Sequence, residues 1–307
     1  MPVAQTPAHL DAELREAVAV HPGDVMAGAV AQVAHFRIGS IAKPMEAVIL
    51  LQLSAEGRVV VEGRFGFYTF DQVIQQTLRP EGRQWPGPRF TPGTKQEYNS
   101  LGYRIAGELI EKLTGHSFQH EVANRILVPL KMKETSAPTR TARIPGPYVP
   151  GYVPTSRGEQ VDVNEQGGLP SSMISTTADL DRFITALLGG RLLPPAQAAE
   201  LFTVPRDANG KPLPYADGSH CNTGPEKGTA CFSTVLMSVP LPDGSVMWGK
   251  TGDDLGYHSA AFATPDLNRR IVYGYGYGYG YGYGTATPDG GSTTGIATRL
   301  LAAISDN

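Results

Sequence analysis

Residues 35–57, HFRIGSIAKPMEAVILLQLSAEG, include a segment that is apolar on nearly every side. This pattern predicts a helix from Ser40 to Glu56 that is buried at the centre of a domain and ends at Gly57. Ser40 and Lys43 stand at the start of this helix, where residues three apart share a face. A lysine in such a place is costly unless it has a partner or a chemical role.

The pairing of Ser40 with Lys43 predicts a nucleophile and its base. A serine hydroxyl becomes nucleophilic when a neighbouring group takes its proton. A lysine amine at the edge of a buried helix can do this, because desolvation favours its uncharged form. The helix N-terminus adds N–H donors and positive potential that suit an oxyanion. The spacing S-x-x-K is frequent by chance, so its chemical meaning depends on further motifs.

The composition indicates a globular protein, with 41% hydrophobic residues, 18% charged residues and a net charge of −3 in 307 residues. No long block of like charge occurs, so we expect neither nucleic acid nor an anionic membrane as a partner. No apolar run reaches the length of a transmembrane helix, and the N-terminal segment lacks the features of a signal peptide. No glycine-rich phosphate loop is present, and we expect no cofactor.

Strand patterns collect near the two ends of the chain and helix patterns in its middle. We therefore expect an α/β fold, with an antiparallel sheet flanked by terminal helices and an inserted helical lobe. One two-lobed domain would have an α/β lobe from about 1–39 and 225–307 and a helical lobe from about 40–224. The cleft between two such lobes is the expected place for a site.

Helix patterns and capping residues predict further elements along the chain. Helices are expected at 8–19, 69–78, 101–113, from Ser117, after Ser175 or Thr176, at 194–202 and at 292–304. Strands are expected at 24–34, at 231–239 and in the hairpins that follow, with turns at PDG and PDLN, and residues 137–174 are expected to form an extended loop. The repeat YGYGYGYGYGYG at 273–284 predicts a strand with tyrosines on one face and glycines on the other, the glycine face admitting a closely packed helix.

Two cysteines, Cys221 and Cys231, flank a short polar segment. They are compatible with a disulfide-closed loop or with two free thiols. A disulfide favours a secreted or cell-envelope protein whose signal peptide is not in this chain, and a cytoplasmic location is also compatible. His116, His120 and Glu121 lack a signalled third ligand on a facing element, so we expect no metal site.

Two further motifs follow the serine in a fixed order. Tyr98-Asn99-Ser100 precedes a helix, and Lys250-Thr251-Gly252 lies on a strand before GYHSAAF. Together with their flanks, YNSLGYRIAGELIEKLTGHSF and ISTTADLDRFITALLGGRLL among them, these motifs resemble the penicillin-recognising serine hydrolases. That family includes the D-alanyl-D-alanine carboxypeptidases and class C β-lactamases, and the sequence is most similar to a shortened Streptomyces-type DD-peptidase.

The resemblance implies a role for each motif residue. Ser40 would be the acylated nucleophile, Lys43 its base or proton partner, and Tyr98 the relay to the leaving group. The backbone N–H groups of Ser40 and Asp253 would form the oxyanion hole. The remaining motif residues would bind substrate: Asn99, Ser100, Lys250 as a positive charge for a carboxylate, Thr251 as a hydroxyl ligand, and Gly252 to admit substrate along the strand edge.

The implied reaction is acyl transfer through an acyl-enzyme, with a small peptide, a β-lactam or an ester as substrate. A D-alanyl-D-alanine carboxypeptidase is the first expectation. An esterase or β-lactamase of the same fold is an alternative, and so is a catalytically impaired relative that binds peptides. The sequence does not indicate the oligomeric state.

Four features depart from the family pattern. The asparagine of Tyr-Asn-Ser comes one residue early, and Pro44 is expected to disturb the geometry between Ser40 and Lys43. Asp253 places a carboxylate near the oxyanion, where it is unfavourable unless offset. The chain is also short between residues 61 and 67, and the segment CFSTVLMSV carries no arginine for a terminal carboxylate.

Overall fold

The computed structural model describes residues 34–58, 90–91, 93–98, 100–138, 143–154, 157, 160–164, 173–216, 221 and 227–276. The described α-helices are α1 (Ala42–Ala55), α2 (Ser100–Thr114), α3 (Phe118–Val122), α4 (Val128–Leu130), α5 (Thr177–Leu188) and α6 (Pro195–Ala199). The described strands are β1 (Phe36–Arg37), β2 (Tyr152–Pro154), β3 (Gln160–Asp162), β4 (Ile174–Ser175), β5 (Met237–Pro240), β6 (Val246–Asp254), β7 (Tyr257–Ala263) and β8 (Arg270–Gly276). Among these elements, no helix combines the length and the apolar composition needed to cross a membrane.

The expected antiparallel sheet is confirmed, in the order β5-β6-β7-β8. The predicted turns at PDG and PDLN connect β5 to β6 and β7 to β8. β6 pairs with β7 from Trp248 to Asp254, whereas β5 pairs only with its first part, from Val246 to Gly249. The second half of β6 therefore has β7 on one side and no strand partner on the other within the described chain.

The buried helix is confirmed as α1, preceded by a 3₁₀ turn at Gly39–Ile41. Ten of its 14 residues are buried, and its apolar side chains form the middle of the main core. A helix that is apolar on all sides is stable only when surrounded by other elements. Gly57, with a φ of +70°, ends the helix as expected, because glycine adopts this backbone conformation without strain.

The predicted caps of two helices are also confirmed. The Ser117 hydroxyl accepts a hydrogen bond from the His120 N–H at 3.2 Å at the start of α3. The Thr176 hydroxyl accepts one from the Asp179 N–H at 3.3 Å at the start of α5. Each cap satisfies a backbone donor that the first helical turn leaves without a partner.

The predicted loop at 137–174 is wrong in part. It contains the hairpin β2–β3, and its end forms β4, in which Ile174 and Ser175 pair with β1. Strands of two or three residues are too short to show a periodic pattern. The pairing of β1 with β4 matters for the site, because β1 leads directly into the turn that carries Ser40.

The predicted strand at 231–239 is shorter than expected, because only Met237–Pro240 is extended in the sheet. Before it, the Ser233 hydroxyl accepts hydrogen bonds from the N–H groups of Val235 and Leu236. A serine side chain that binds the backbone in this way competes with strand pairing.

The tyrosine–glycine repeat begins as predicted in β8, of which residues up to Gly276 are described. A side chain on Gly274 would collide with the Phe36 ring, and one on Gly276 would come within 2.7 Å of the Pro150 carbonyl carbon. At these two described glycines the strand packs against β1 and the segment before β2, where a helix was expected. Tyr273 and Tyr275 on the other face are buried. The predicted elements at 8–19, 69–78 and 292–304, and the strand at 24–34 apart from its last residue, lie outside the described residues.

Candidate active site

Ser40 and Lys43 meet at the start of α1, where the Lys43 Nζ donates a hydrogen bond to the Ser40 Oγ at 2.8 Å. Ser40 lies in a 3₁₀ turn, in which side chains three residues apart are eclipsed. Pro44 is the third residue of α1, and the first-turn N–H groups of a helix have no partner within it. The expected disturbance by Pro44 is therefore wrong, since the proline falls where a helix tolerates it and the contact is intact.

Tyr98 completes a cluster around the serine, with its hydroxyl donating to the Ser40 Oγ at 2.8 Å. Its ring stacks on Phe232, and its backbone N–H donates to the Tyr215 hydroxyl. Burial opposes ionisation of this phenol, but the positive charges of Lys250 and Lys43 outweigh burial and place the pKa of Tyr98 below its usual value. A tyrosine of this kind can exchange a proton with the serine more readily than an ordinary one.

Lys250 lies beneath Tyr98, with its Nζ 4.7 Å from the centre of the Tyr98 ring. Its side chain is buried and donates to the Thr251 carbonyl oxygen at 2.8 Å. Burial lowers the pKa of Lys250, and the charge of Lys43 adds to this effect, while Tyr98 and Asp253 oppose it. The charge of Lys250 therefore mainly stabilises the ionised form of Tyr98. Because its side chain is buried, Lys250 is less accessible to a substrate carboxylate than its motif predicts.

Two glycines bring the serine turn against β6. Gly39 has a φ of +48°, and a Cβ on it would lie 2.7 Å from both the amide nitrogen and the carbonyl carbon of Asp253. A Cβ on Gly252 would collide with the Ile38 carbonyl oxygen and the Ser259 Oγ. Gly252 is therefore needed for close packing of the serine turn on β6, in addition to its predicted role of admitting substrate along the strand edge. The same contacts hold the Asp253 backbone against the turn that carries Ser40, as an oxyanion hole from these two residues requires.

Asp253 and His258 form a pair at the rim of the site. They are directly opposite each other in the pairing of β6 with β7, and the His258 Nδ1 and an Asp253 carboxylate oxygen are hydrogen-bonded. The Asp253 side chain is 58% exposed and that of His258 is 11% exposed. The sequence signal for this pair lay in the register, since counting from the turn at Leu255-Gly256 places His258 opposite Asp253.

Glu46 is a buried carboxyl that sequence reasoning missed. It lies three residues after Lys43 on α1, so that the two side chains share a face, and one of its carboxyl oxygens is buried without a hydrogen-bond partner in the described structure. Burial raises the pKa of Glu46 to about 8, with the charge of Lys43 opposing this effect. Its only sequence signal was a single acidic residue within an apolar helix.

The known families provide a direct comparison for this geometry. Residues 72–275, about two thirds of the chain, match the family model described as beta-lactamase. The chain belongs to the beta-lactamase family. The matched segment contains Tyr98 and Lys250, and it begins after Ser40 and Lys43, which the structure brings to the same place.

Solved structures share the same fold. A D-stereospecific amidohydrolase from Streptomyces sp. is 26% identical, with a TM-score of 0.67, covering 89% of this chain and 95% of that one. The D-amino acid amidase from Ochrobactrum anthropi SV3 is 18% identical, with a TM-score of 0.68 and coverage of 97% and 98%. A penicillin-binding protein from Bacillus halodurans is 15% identical, with a TM-score of 0.65 and coverage of 98% and 99%. This beta-lactamase family chain is thus a serine hydrolase with the beta-lactamase/DD-peptidase-like fold that its sequence predicts.

The tyrosine motif is only partly described in this family member. Asn99 lies outside the described residues, and Ser100 is described only through its backbone, as the first residue of α2. Their predicted contacts with substrate stay predictions.

The two cysteines form a disulfide, which settles the alternatives left open by the sequence. Cys231 precedes Phe232, whose ring lies against Tyr98 and within 5.8 Å of the Lys250 Nζ. The disulfide therefore anchors one wall of the site.

His116, His120 and Glu121 converge at the start of α3, with their ligand atoms within 4.8 Å of one another. Glu121 also accepts hydrogen bonds from Arg125 and His116, and burial is outweighed by these partners, so that the pKa of Glu121 lies below its usual value. The Glu121 carboxylate is thus already paired with the Arg125 guanidinium.

Proposed function

We propose that this chain hydrolyses amides through an acyl-enzyme at Ser40, with D-configured amino acid amides as its substrate class. The observation that carries this proposal is the Ser40 Oγ, which accepts hydrogen bonds from both Lys43 and Tyr98 at 2.8 Å. Two proton-transfer groups at one nucleophile suit an amide, because the leaving nitrogen must gain a proton before it departs.

In the first step, the Ser40 Oγ attacks the amide carbon and its proton passes to the uncharged amine of Lys43, which becomes positively charged. The carbonyl oxygen becomes an oxyanion that the N–H groups of Ser40 and Asp253 stabilise. Tyr98 gives a proton to the leaving nitrogen and regains one from Lys43 as the carbon–nitrogen bond breaks. Water then attacks the ester carbon, the bond to the Ser40 Oγ breaks, and a proton of that water passes to the Ser40 Oγ, which regenerates the hydroxyl.

The D-configured substrate class is supported by the similarity to the Streptomyces amidohydrolase, whose name gives that stereospecificity. A D-alanyl-D-alanine carboxypeptidase is the second candidate, favoured by the position of Lys250, Thr251 and Gly252 on one wall of the site. It is less well supported because Lys250 is buried and donates to a backbone carbonyl.

The test compares ammonia release from D- and L-phenylalanine amide with D-alanine release from a peptide that ends in D-alanyl-D-alanine. We expect turnover of the D-amide, a transient acyl adduct by intact-protein mass, and loss of both in Ser40→Ala. Ser54→Ala, on the same helix α1, is the matched control and should retain activity. Folded wild-type protein that forms no adduct with amides, esters or penicillin would refute the proposal and favour the peptide-binding alternative.

A further inference from the structure

The second half of β6 offers an open edge beside the nucleophile. β5 pairs with β6 only as far as Gly249, so that residues 250–254 have no strand partner on that side within the described chain. An extended substrate can pair with such an edge through its backbone. Residues two apart on a strand share a face, which places Thr251 and Asp253 together and Lys250 on the opposite face.

The leaving group must lie along this edge. It takes its proton from Tyr98, whose ring lies over the Lys250 Nζ, and that Nζ in turn donates to the Thr251 carbonyl oxygen. A leaving group that departs beside Tyr98 therefore lies next to the Thr251 backbone, two residues from Asp253, whose negative charge also acts on the Lys250 amine. Lys250 is 3% exposed, whereas the Asp253 side chain is 58% exposed.

His258 fixes the carboxylate in this position through its hydrogen bond from the neighbouring strand. The histidine side chain is almost buried, and its ring packs against Tyr275. The Asp253 carboxylate is thus held on a built support and does not swing freely into solvent.

We propose that Asp253 forms a charge-selective leaving-group subsite, which rejects leaving groups that carry a carboxylate and favours neutral or cationic ones. The proposal deepens, and rests on, the acyl-transfer function proposed above. It assigns the enzyme to primary amides and to amides of amine-bearing leaving groups, and away from peptides that end in a free carboxylate. A charge bound at Thr251 would lie roughly 6–7 Å from that of Asp253, given about 3.3 Å per strand residue. At that distance two charges at a protein surface change a rate on the order of tenfold.

The test uses three esters of N-acetyl-D-phenylalanine that differ in the charge of the alcohol. The alcohols are choline, its uncharged isostere 3,3-dimethylbutanol, and 4-hydroxybutyrate, and kcat/KM is measured for each. We expect the anionic ester to react about tenfold more slowly than the neutral one, and the cationic ester to react at least as fast. In Asp253→Asn, the ratio of anionic to neutral ester should rise about tenfold and the preference for the cation should disappear.

Asp243→Asn is the matched control, because it changes the net charge equally in the turn at the other end of β6. It should leave the ratios unchanged. Equal ratios in wild type and Asp253→Asn would overturn the proposal.

A failure of the proposed function is distinguishable from a failure of this subsite. If no ester is hydrolysed, the acyl-transfer function is wrong, and the dissociation constants of the same esters for Ser40→Ala still decide the subsite. The same order of charge preference in those constants, lost in Ser40→Ala/Asp253→Asn, would support it, and equal constants for the three esters would overturn it.

Discussion

Substitution of Gly39 by alanine tests whether close contact between the serine turn and β6 makes the site. The new Cβ would stand 2.7 Å from the Asp253 amide nitrogen and carbonyl carbon, where ordinary contacts begin at 3.4 Å. The turn and the strand must then separate by about 0.7 Å, and a displacement of about 1 Å at reacting groups can lower a rate on the order of 100-fold. The φ of +48° adds a strain of roughly 1–2 kcal/mol for a residue with a side chain.

Gly57→Ala provides the matched control for this experiment. Gly57 lies at the other end of α1 with a φ of +70°, and a Cβ there meets nothing within 4 Å. Both variants should lose roughly 1–2 kcal/mol of stability in urea unfolding, or somewhat more for Gly39→Ala. Only Gly39→Ala should slow the acylation burst with p-nitrophenyl acetate, by about 30- to 100-fold, because only this variant displaces the serine turn from β6. A Gly39→Ala protein that acylates at the rate of Gly57→Ala would refute the argument that this contact assembles the oxyanion hole.

Three further predictions follow from single groups. Tyr98→Phe should lower the single-turnover acylation of Ser40 by an amide by about 10²- to 10⁴-fold with substrate affinity retained. It should also remove from the wild-type pH profile the decrease of rate that deprotonation of Tyr98 causes at a pKa below the usual tyrosine value, and an unchanged profile would exclude the proton role. Burial raises the pKa of Glu46 to about 8, so the folded protein should lose stability as pH rises from about 4.5 through 8. Glu46→Gln should become more stable than wild type across that range, by several kcal/mol at about 1.4 kcal/mol per pH unit. An equal difference in unfolding free energy between the two proteins at pH 5 and pH 8, measured in urea, would contradict this. Replacing Cys221 and Cys231 by serine opens a loop with a sequence separation of 10 and should lower the free energy of unfolding by roughly 3 kcal/mol. The thermal midpoint should fall accordingly, and a reducing agent should lower the midpoint of wild type but not that of the variant.

The sequence predicted those parts of the fold that leave a strong local pattern. The apolar run of α1, the caps of α3 and α5, and the turns of the sheet each follow from residues within one or two helical turns or one hairpin. The short strands β2, β3 and β4 were missed, since two or three residues carry no periodicity and their pairing depends on distant partners.

The candidate site divides in the same way. The contact of Ser40 with Lys43 was predictable because it lies within one helical turn, and the effect of Pro44 was misjudged because the preceding turn is 3₁₀ and the proline falls in the tolerant first turn of α1. The pairing of Asp253 with His258 depends on the register between β6 and β7, which a strand pattern alone does not fix.

The charges of the site are arranged so that they act on different parts of the reaction. The Nζ atoms of Lys43 and Lys250 lie 5.4 Å and 4.7 Å from the centre of the Tyr98 ring, and together these lysines overcome the effect of burial on its phenol. Their positive charge is therefore used at the proton-transfer groups, inside the site, where few water molecules screen it. Asp253 lies at the rim of the site with a side chain that is 58% exposed, and its negative charge favours the charged form of Lys250. Because Lys250 is buried whereas the Asp253 carboxylate is accessible, the function proposed above predicts that the charge of the leaving group, more than the identity of the nucleophile, decides between amide hydrolysis and carboxypeptidase activity.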